Sequence, residues 1–429
     1  MTNQRITPIE INSKEFREAG YKLIDQIIDY IDTIREKPVT TGETPKQALK
    51  VLGEKSLSRQ GKSLKELIES AADLLLNHSL FNGHPKFFGY ITSSATPIGA
   101  LADLLAAAVN PNVGANILSP MATEIEKQTI EWLTDFIGLP HGYGGLMVSG
   151  GNMANFTGFL AGRTAKANGN IKENGLANDS ERMIIYCATS THTWIEKAAS
   201  LFGHGSKSIS WIDTDSANKI NIKVLEAKIE MDLKHGFKPF MVIGTAGDVS
   251  TGVVDNLEAI GEVCKKYDLW FHVDGAYGMP AAALPEFKEI FKGLEKADSV
   301  AIDPHKWLYS PLEAGCILVK NPKYLTDTFS AHPEYYNFEG DEEDPAYNFF
   351  EYGLQNSRGF RALKVWLALQ QAGQNGYIKM IREDIELARL MYELADNHPS
   401  LEAVTHNLSI TTFRYVPSNL SIETEKLKK

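Results

Sequence analysis

Three short segments carry residue types that could do chemistry together. In Asp303-Pro304-His305-Lys306-Trp307 a lysine follows an apolar run and is flanked by an imidazole and an indole. Lysine is seldom buried without a special role, and desolvation favours the nucleophilic free amine. Lys306 is therefore a candidate for a Schiff base with a carbonyl compound. In His272-Val273-Asp274-Gly275-Ala276-Tyr277 a carboxylate ends a strand-like run beside small residues, where a flat ligand could approach closely. In Ser149-Gly150-Gly151-Asn152-Met153-Ala154-Asn155 an apolar run meets two glycines and then a helical stretch. Free N–H groups at a helix start bind phosphate. Each segment alone has an ordinary explanation: a surface lysine, an aspartate capping a turn, glycines making a turn. Their order along one strand–helix array is what joins them.

That array is the scaffold the three segments need. From about Gly145, β-rich apolar runs at 146–148, 183–187, 208–212, 240–244, 269–273, 299–302 and 316–319 alternate with helical stretches. The helices start at Met153 and Trp194 and cover 222–233 and 257–267. Such alternation predicts a mainly parallel sheet with helices on both faces, and chemistry at the carboxyl ends of its strands. Upstream, Phe16, Ile24, Ile27, Ile28, Ile31 and Ile34 recur at helical spacing over 13–35, with Ser13 as the expected N-cap. That face suits either the helix's own core or a partner subunit. Residues 38–45 read as a linker and 63–77 as a second helix. Downstream, 330–348, which holds His332, Pro333, Tyr335, Tyr336 and the acidic run 341–344, reads as a mobile loop. A helix over 361–372, a strand over 410–415 and a polar end from Ser418 complete the pattern.

Bulk properties narrow the function classes. The chain has 429 residues, 43% of them hydrophobic, and a formal net charge of −11. The length allows two or three domains, and the acidic balance argues against nucleic acid or an anionic membrane as partner. Three scattered cysteines, Cys187, Cys264 and Cys316, fit a reducing compartment. The first residues lack the apolar core of a signal peptide, and no run reaches the roughly 18–20 apolar residues of a membrane span. A soluble, cytoplasmic protein is expected, with no metal.

With the motifs in place, the chain resembles the group II pyridoxal-phosphate (PLP) decarboxylases of the aromatic-L-amino-acid decarboxylase type, over about residues 84–414. Pro304-His305-Lys306-Trp307 and His272-Val273-Asp274-Gly275-Ala276-Tyr277 carry the resemblance. It implies an α/β fold, the PLP-dependent transferase fold type I of aspartate aminotransferase, with a mainly parallel seven-stranded sheet covered by helices. It implies an obligate homodimer built through a helical segment at 1–96, a PLP-binding domain at 97–360 and a small domain at 361–429. Family chains continue for several tens of residues beyond Arg414, so that last domain is expected to be cut short at Lys429.

The resemblance also assigns roles. Lys306 would carry the cofactor as an imine. Asp274 would pair with the pyridine nitrogen, His192 would stack on one face of the ring and Ala276 on the other, and Thr245 would stand beside it. Gly150, Gly151 and Asn152 would cradle the phosphate, with His305 near it and Asp303 loosely placed. Tyr335 would return a proton to Cα after carbon dioxide leaves. Tyr90, Thr92, Ser93, Asn112, Gly114 and Ser357 would line the substrate pocket, Ser357 favouring a phenol, and Phe360-Arg361 favours the aromatic branch. The expected activity is decarboxylation of an aromatic L-amino acid to its amine. The alternatives are an acidic or diamino acid substrate, aldehyde formation, or an inactive, shortened homologue.

Overall fold

The computed structural model describes residues 7, 9–53, 56–57, 59–176, 181–331, 340–341 and 344–416. The chain forms two units, Met1–Ser94 and Ala95–Lys429.

In the first unit, local capping explains where each helix begins. Asn12, not the expected Ser13, caps α1 (Ser13–Thr33): its side chain accepts the Glu15 amide, so Ser13 is already the first helical residue. The stretch expected as a linker ends at a helix start, because Thr44 and Gln47 form a capping box and Pro45 opens α2 (Pro45–Leu52). Ser63 and Glu66 do the same for α3 (Leu64–Asn77). α1 packs on α3 yet buries none of its residues; Ile24, Ile27, Ile28 and Ile31 stay 36–48% exposed.

The second unit opens with α4 (Pro97–Val109) and α5 (Pro120–Phe136). The alternating region follows as β1 (Gly144–Val148), α6 (Gly151–Lys166), α7 (Ile171–Asn174), β2 (Met183–Ala188), α8 (Trp194–Leu201), β3 (Ile209–Ile212), α9 (Ile222–Lys234), β4 (Lys238–Thr245), α10 (Leu257–Tyr267), β5 (Trp270–Asp274), β6 (Ser299–Ile302) and β7 (Gly315–Val319). These strands form one seven-stranded sheet in the order β1-β7-β6-β5-β4-β2-β3. Only β7 runs antiparallel to its neighbours. Every residue of β2, β5, β6 and β7 is buried, which is why these strands read as unbroken apolar runs. The expected fold class is the one observed.

This topology places the carboxyl ends of β1, β4, β5 and β6 along one edge, beside the amino end of β7. Beyond β7 come α11 (Lys323–Phe329), a short ladder of β8 (Gly340–Asp341) with β9 (Asp344–Pro345), and α12 (Ala362–Asp396). α12 runs well past the expected end at 372. Gly373, at φ 65°, interrupts its helical geometry and breaks the periodicity there. β10 (Leu401–Asn407) pairs with the expected strand, β11 (Ile410–Tyr415). β10 gave no clear signal because none of its residues is buried. Among the described residues no helix is long and apolar enough to cross a membrane.

Candidate active site

The turn from β1 into α6 is built by close approach. A Cβ on Gly150 would lie 3.1 Å from His305 Cε1, and one on Gly151 would lie 2.6 Å from Asp303 Oδ2 and 3.2 Å from the Ala276 methyl. Larger residues would push the two neighbouring strand ends away from the helix start. Asn152 is exposed in the first turn of α6. The N-cap, Gly150, has no side chain to cap that turn, and the Gly151 amide meets the Asp303 carboxylate, so the positive end of a 16-residue helix is left to other acceptors.

The next strand end supplies the lysine. After β6, the Asp303 amide donates to the Ala276 carbonyl, and the Lys306 amide to the Asp303 carbonyl. Lys306 Nζ lies 3.2 Å from Asp303 Oδ2, and His305 Nε2 lies 3.6 Å from the same oxygen. Asp303 is 1% exposed, and burial raises its carboxyl to about 6 despite the nearby ammonium. His305 Nδ1 accepts the Ala314 amide at 3.1 Å, and burial lowers the imidazole to about 4. His305 is therefore neutral, with its proton on Nε2.

Asp274 closes β5. Trp194 Nε1 donates to its Oδ2 at 2.7 Å, and the Ala276 amide to its Oδ1 at 3.2 Å. Two residues earlier, the fully buried His272 joins Ser299 Oγ at 2.8 Å and Asn155 Oδ1 at 2.9 Å. Burial lowers this imidazole to about 4 as well. Thr245, at the end of β4, is the register partner of Asp274. Its amide donates to Asp255 Oδ2, while its Oγ1 is buried without a partner. His192 is exposed in the turn before α8, where its Nδ1 accepts the Trp194 amide at 3.3 Å. The aromatic ends of the two motifs hold their turns together. Tyr277 stacks on Trp307 with centroids 5.1 Å apart, and Trp307 donates to Asp384 of α12.

These groups fit a phosphorylated aromatic carbonyl compound. The uncapped helix start suits a phosphate, and a lysine amine stands within reach of a buried carboxylate. Thr245 Oγ1 and Asp303 Oδ1 are two buried oxygens with no protein partner. Buried polar atoms of this kind are normally satisfied, so a bound group is the natural partner.

The expected pocket residues divide. Asn112, Gly114 and Ser357 come together: Asn112 Oδ1 accepts the amides of Gly114 at 3.1 Å and Arg358 at 3.0 Å, and Ser357 is exposed beside them. Gly114 is small for a local reason, since a Cβ there would sit 2.2 Å from the Asn356 carbonyl oxygen. Tyr90, Thr92 and Ser93 belong to the first unit, where Tyr90 is 84% exposed with φ 59°. Tyr335 lies outside the described residues. Sequence reasoning passed over Trp194, Asp384 and the buried Glu126–Arg358 pair, whose partners are distant in sequence. For Trp194 the available signal was an indole two residues after His192, because a buried indole N–H needs an acceptor.

A family model described as the pyridoxal-dependent decarboxylase conserved domain matches residues 45–416. The chain is 35% identical over 420 residues to an aromatic-L-amino-acid decarboxylase of Bacillus atrophaeus, covering 96% of this chain and 84% of that one. It superposes on the crystal structure of Oryza sativa TDC with PLP and tryptamine at a TM-score of 0.88 and 25% identity, covering 96% and 85% of the two chains. It superposes on Rhodiola rosea 4-hydroxyphenylacetaldehyde synthase at 0.87 and 26% identity, covering 98% and 88%.

Proposed function

The chain belongs to the pyridoxal-dependent decarboxylase family, and from that premise we propose that it converts an aromatic L-amino acid to its amine and carbon dioxide. The observation that carries the reading is the close approach of the start of α6 to the segments that follow Asp274 and precede Lys306. When bound, pyridoxal phosphate supplies a carbonyl carbon for an amine and a ring that withdraws electrons from the bond to be broken.

The chain's own residues hold and orient that group. Lys306 offers the amine. The turn at Gly150, Gly151 and Asn152 would cradle the phosphate, although the Gly151 amide also meets the Asp303 carboxylate, and neutral His305 would lie near it. Thr245 Oγ1 has a hydrogen to give. Asp274, fixed by two N–H donors, can keep a proton on the ring nitrogen. His192 and Ala276 bound the two faces. Tyr335 is the donor that returns a proton to Cα, since a phenol gives up a proton to a strong carbon base.

Asn112, Gly114 and Ser357 would shape the side-chain pocket. Arg358 next to Ser357 is committed to Glu126, so it offers no cation to an acidic substrate. The names of the relatives point the same way. We assign the protein to the cytoplasm, in keeping with three buried, unpaired thiols. We also assign a homodimer, because the isoleucine stripe of α1 remains exposed.

The test is incubation of the purified protein with tyrosine, DOPA, tryptophan, phenylalanine and glutamate, followed by product identification. An amine from an aromatic acid is expected, and Lys306→Ala should lose both turnover and the visible chromophore. Hydrogen peroxide with ammonia and an aldehyde, or turnover of glutamate alone, would overturn the proposal.

A further inference from the structure

We propose that Trp194 is a positioning residue that keeps the proton shared by Asp274 and the cofactor ring on the ring nitrogen. The inference rests on the pairing of Asp274 with that nitrogen proposed above.

Trp194 is completely buried, so its indole N–H must find an acceptor inside the protein. The acceptor is Asp274 Oδ2, at 2.7 Å. The indole cannot swing away. It meets the His272 ring edge-on, with centroids 5.6 Å apart and planes at 77°. His272 is in turn fixed on both nitrogens, by Ser299 and Asn155. The other donor to the carboxylate among the described residues is the Ala276 amide, at 3.2 Å on the other oxygen. His272 is neutral and places no positive charge behind Asp274.

Two N–H donors thus hold this carboxylate, and the indole makes the shorter bond. A donor to a carboxylate stabilises the anion and weakens it as a base. The shared proton then stays on the nitrogen, where it makes the ring electron-withdrawing. The backbone amide of the same residue donates to His192 Nδ1. One residue at the start of α8 therefore sets both a carboxylate expected at the ring edge and an imidazole expected on the ring face. Trp194→Phe removes only the first of these, because the amide remains.

The experiment loads wild type and Trp194→Phe with pyridoxal phosphate carrying 15N in the ring and follows that resonance with pH. In the variant the resonance at neutral pH should move towards that of an unprotonated ring nitrogen, because the carboxylate, short of one donor, draws the shared proton from the ring. kcat should fall about tenfold with KM little changed, the mark of a group acting on the chemical step. Identical titrations in the two proteins would overturn the role of Trp194. Asp274→Asn separates the two ideas. If it leaves the resonance unmoved, the pairing itself fails; if it moves the resonance and Trp194→Phe does not, only the tryptophan's role falls. Should the phenylalanine protein not accumulate, benzothienylalanine at position 194 removes the N–H at constant shape and answers the same question.

Discussion

Lys306 stands against a buried acid. Asp303 Oδ2 lies 3.2 Å from its nitrogen, and that carboxyl is 1% exposed. In its proposed role Lys306 must leave Asp303 before it can attack a carbonyl carbon. Burial raises Asp303 to about 6, so the pair exists above that pH and dissolves as Asp303 takes a proton below it. Asp303→Asn should therefore take up pyridoxal phosphate faster at pH 7–8, by about three- to tenfold, the size of a lost charge partner. The advantage should vanish near pH 5, where the wild-type carboxyl is itself neutral. Stopped-flow recording of the visible chromophore across that range is the measurement; an equal advantage at both ends would exclude the mechanism. Lys306 could be picked out in the sequence because its neighbours are distinctive. Its ion pair could not, because the Asp303 carboxylate could equally have faced solvent.

Among elements, the joint between β1 and the loops at 112–114 and 356–358 depends on one buried ion pair. Arg358, 3% exposed, donates to the Val113 and Met147 carbonyls and to both oxygens of Glu126, which is fully buried and accepts the Met147 amide. All three segments are thereby fixed against one guanidinium. A buried charge stripped of its partner is far costlier than the intact pair is stabilising. Arg358→Met should thus lose about 3–5 kcal/mol in urea unfolding, and Glu126→Met together with Arg358→Met should recover most of it. If the double variant is as unstable as the single one, the loss comes from packing and not from the orphaned carboxylate. The sequence suggested Asn112, Gly114 and Ser357 as pocket residues but could not reveal this clamp. Its members are more than two hundred positions apart, and an isolated arginine reads as a surface residue.

For the whole molecule, the exposed face of α1 bears on assembly. A 21-residue helix with Ile24, Ile27, Ile28 and Ile31 on one stripe, none of them buried, leaves more apolar surface than a soluble monomer usually shows. α4 adds Leu101, Leu104 and Leu105, each 54–55% exposed. A second copy of the chain is the proposed cover. Ile28→Asp with Ile31→Asp should halve the mass measured by light scattering without changing the circular dichroism of the monomer. A wild-type protein that already scatters as a monomer would remove the homodimer from the account.

The succession of strands along the chain, the helices between them and the places of Lys306, Asp274 and the Gly150–Gly151 turn at or just after strand ends were legible in the sequence. Buried parallel strands are uninterrupted apolar runs, and reactive residues at their ends stand out against that background. Sheet order, the reversal of β7 and the α12 helix beyond Gly373 were not, because they depend on pairings and packing between distant segments. The same holds for the partners of these side chains: Trp194 on Asp274, Asp303 on Lys306, Glu126 on Arg358. Sequence determines which atoms can react. Only the tertiary fold decides which buried donors and acceptors meet them, because in a low-dielectric interior every such group must find a partner wherever the chain happens to bring one.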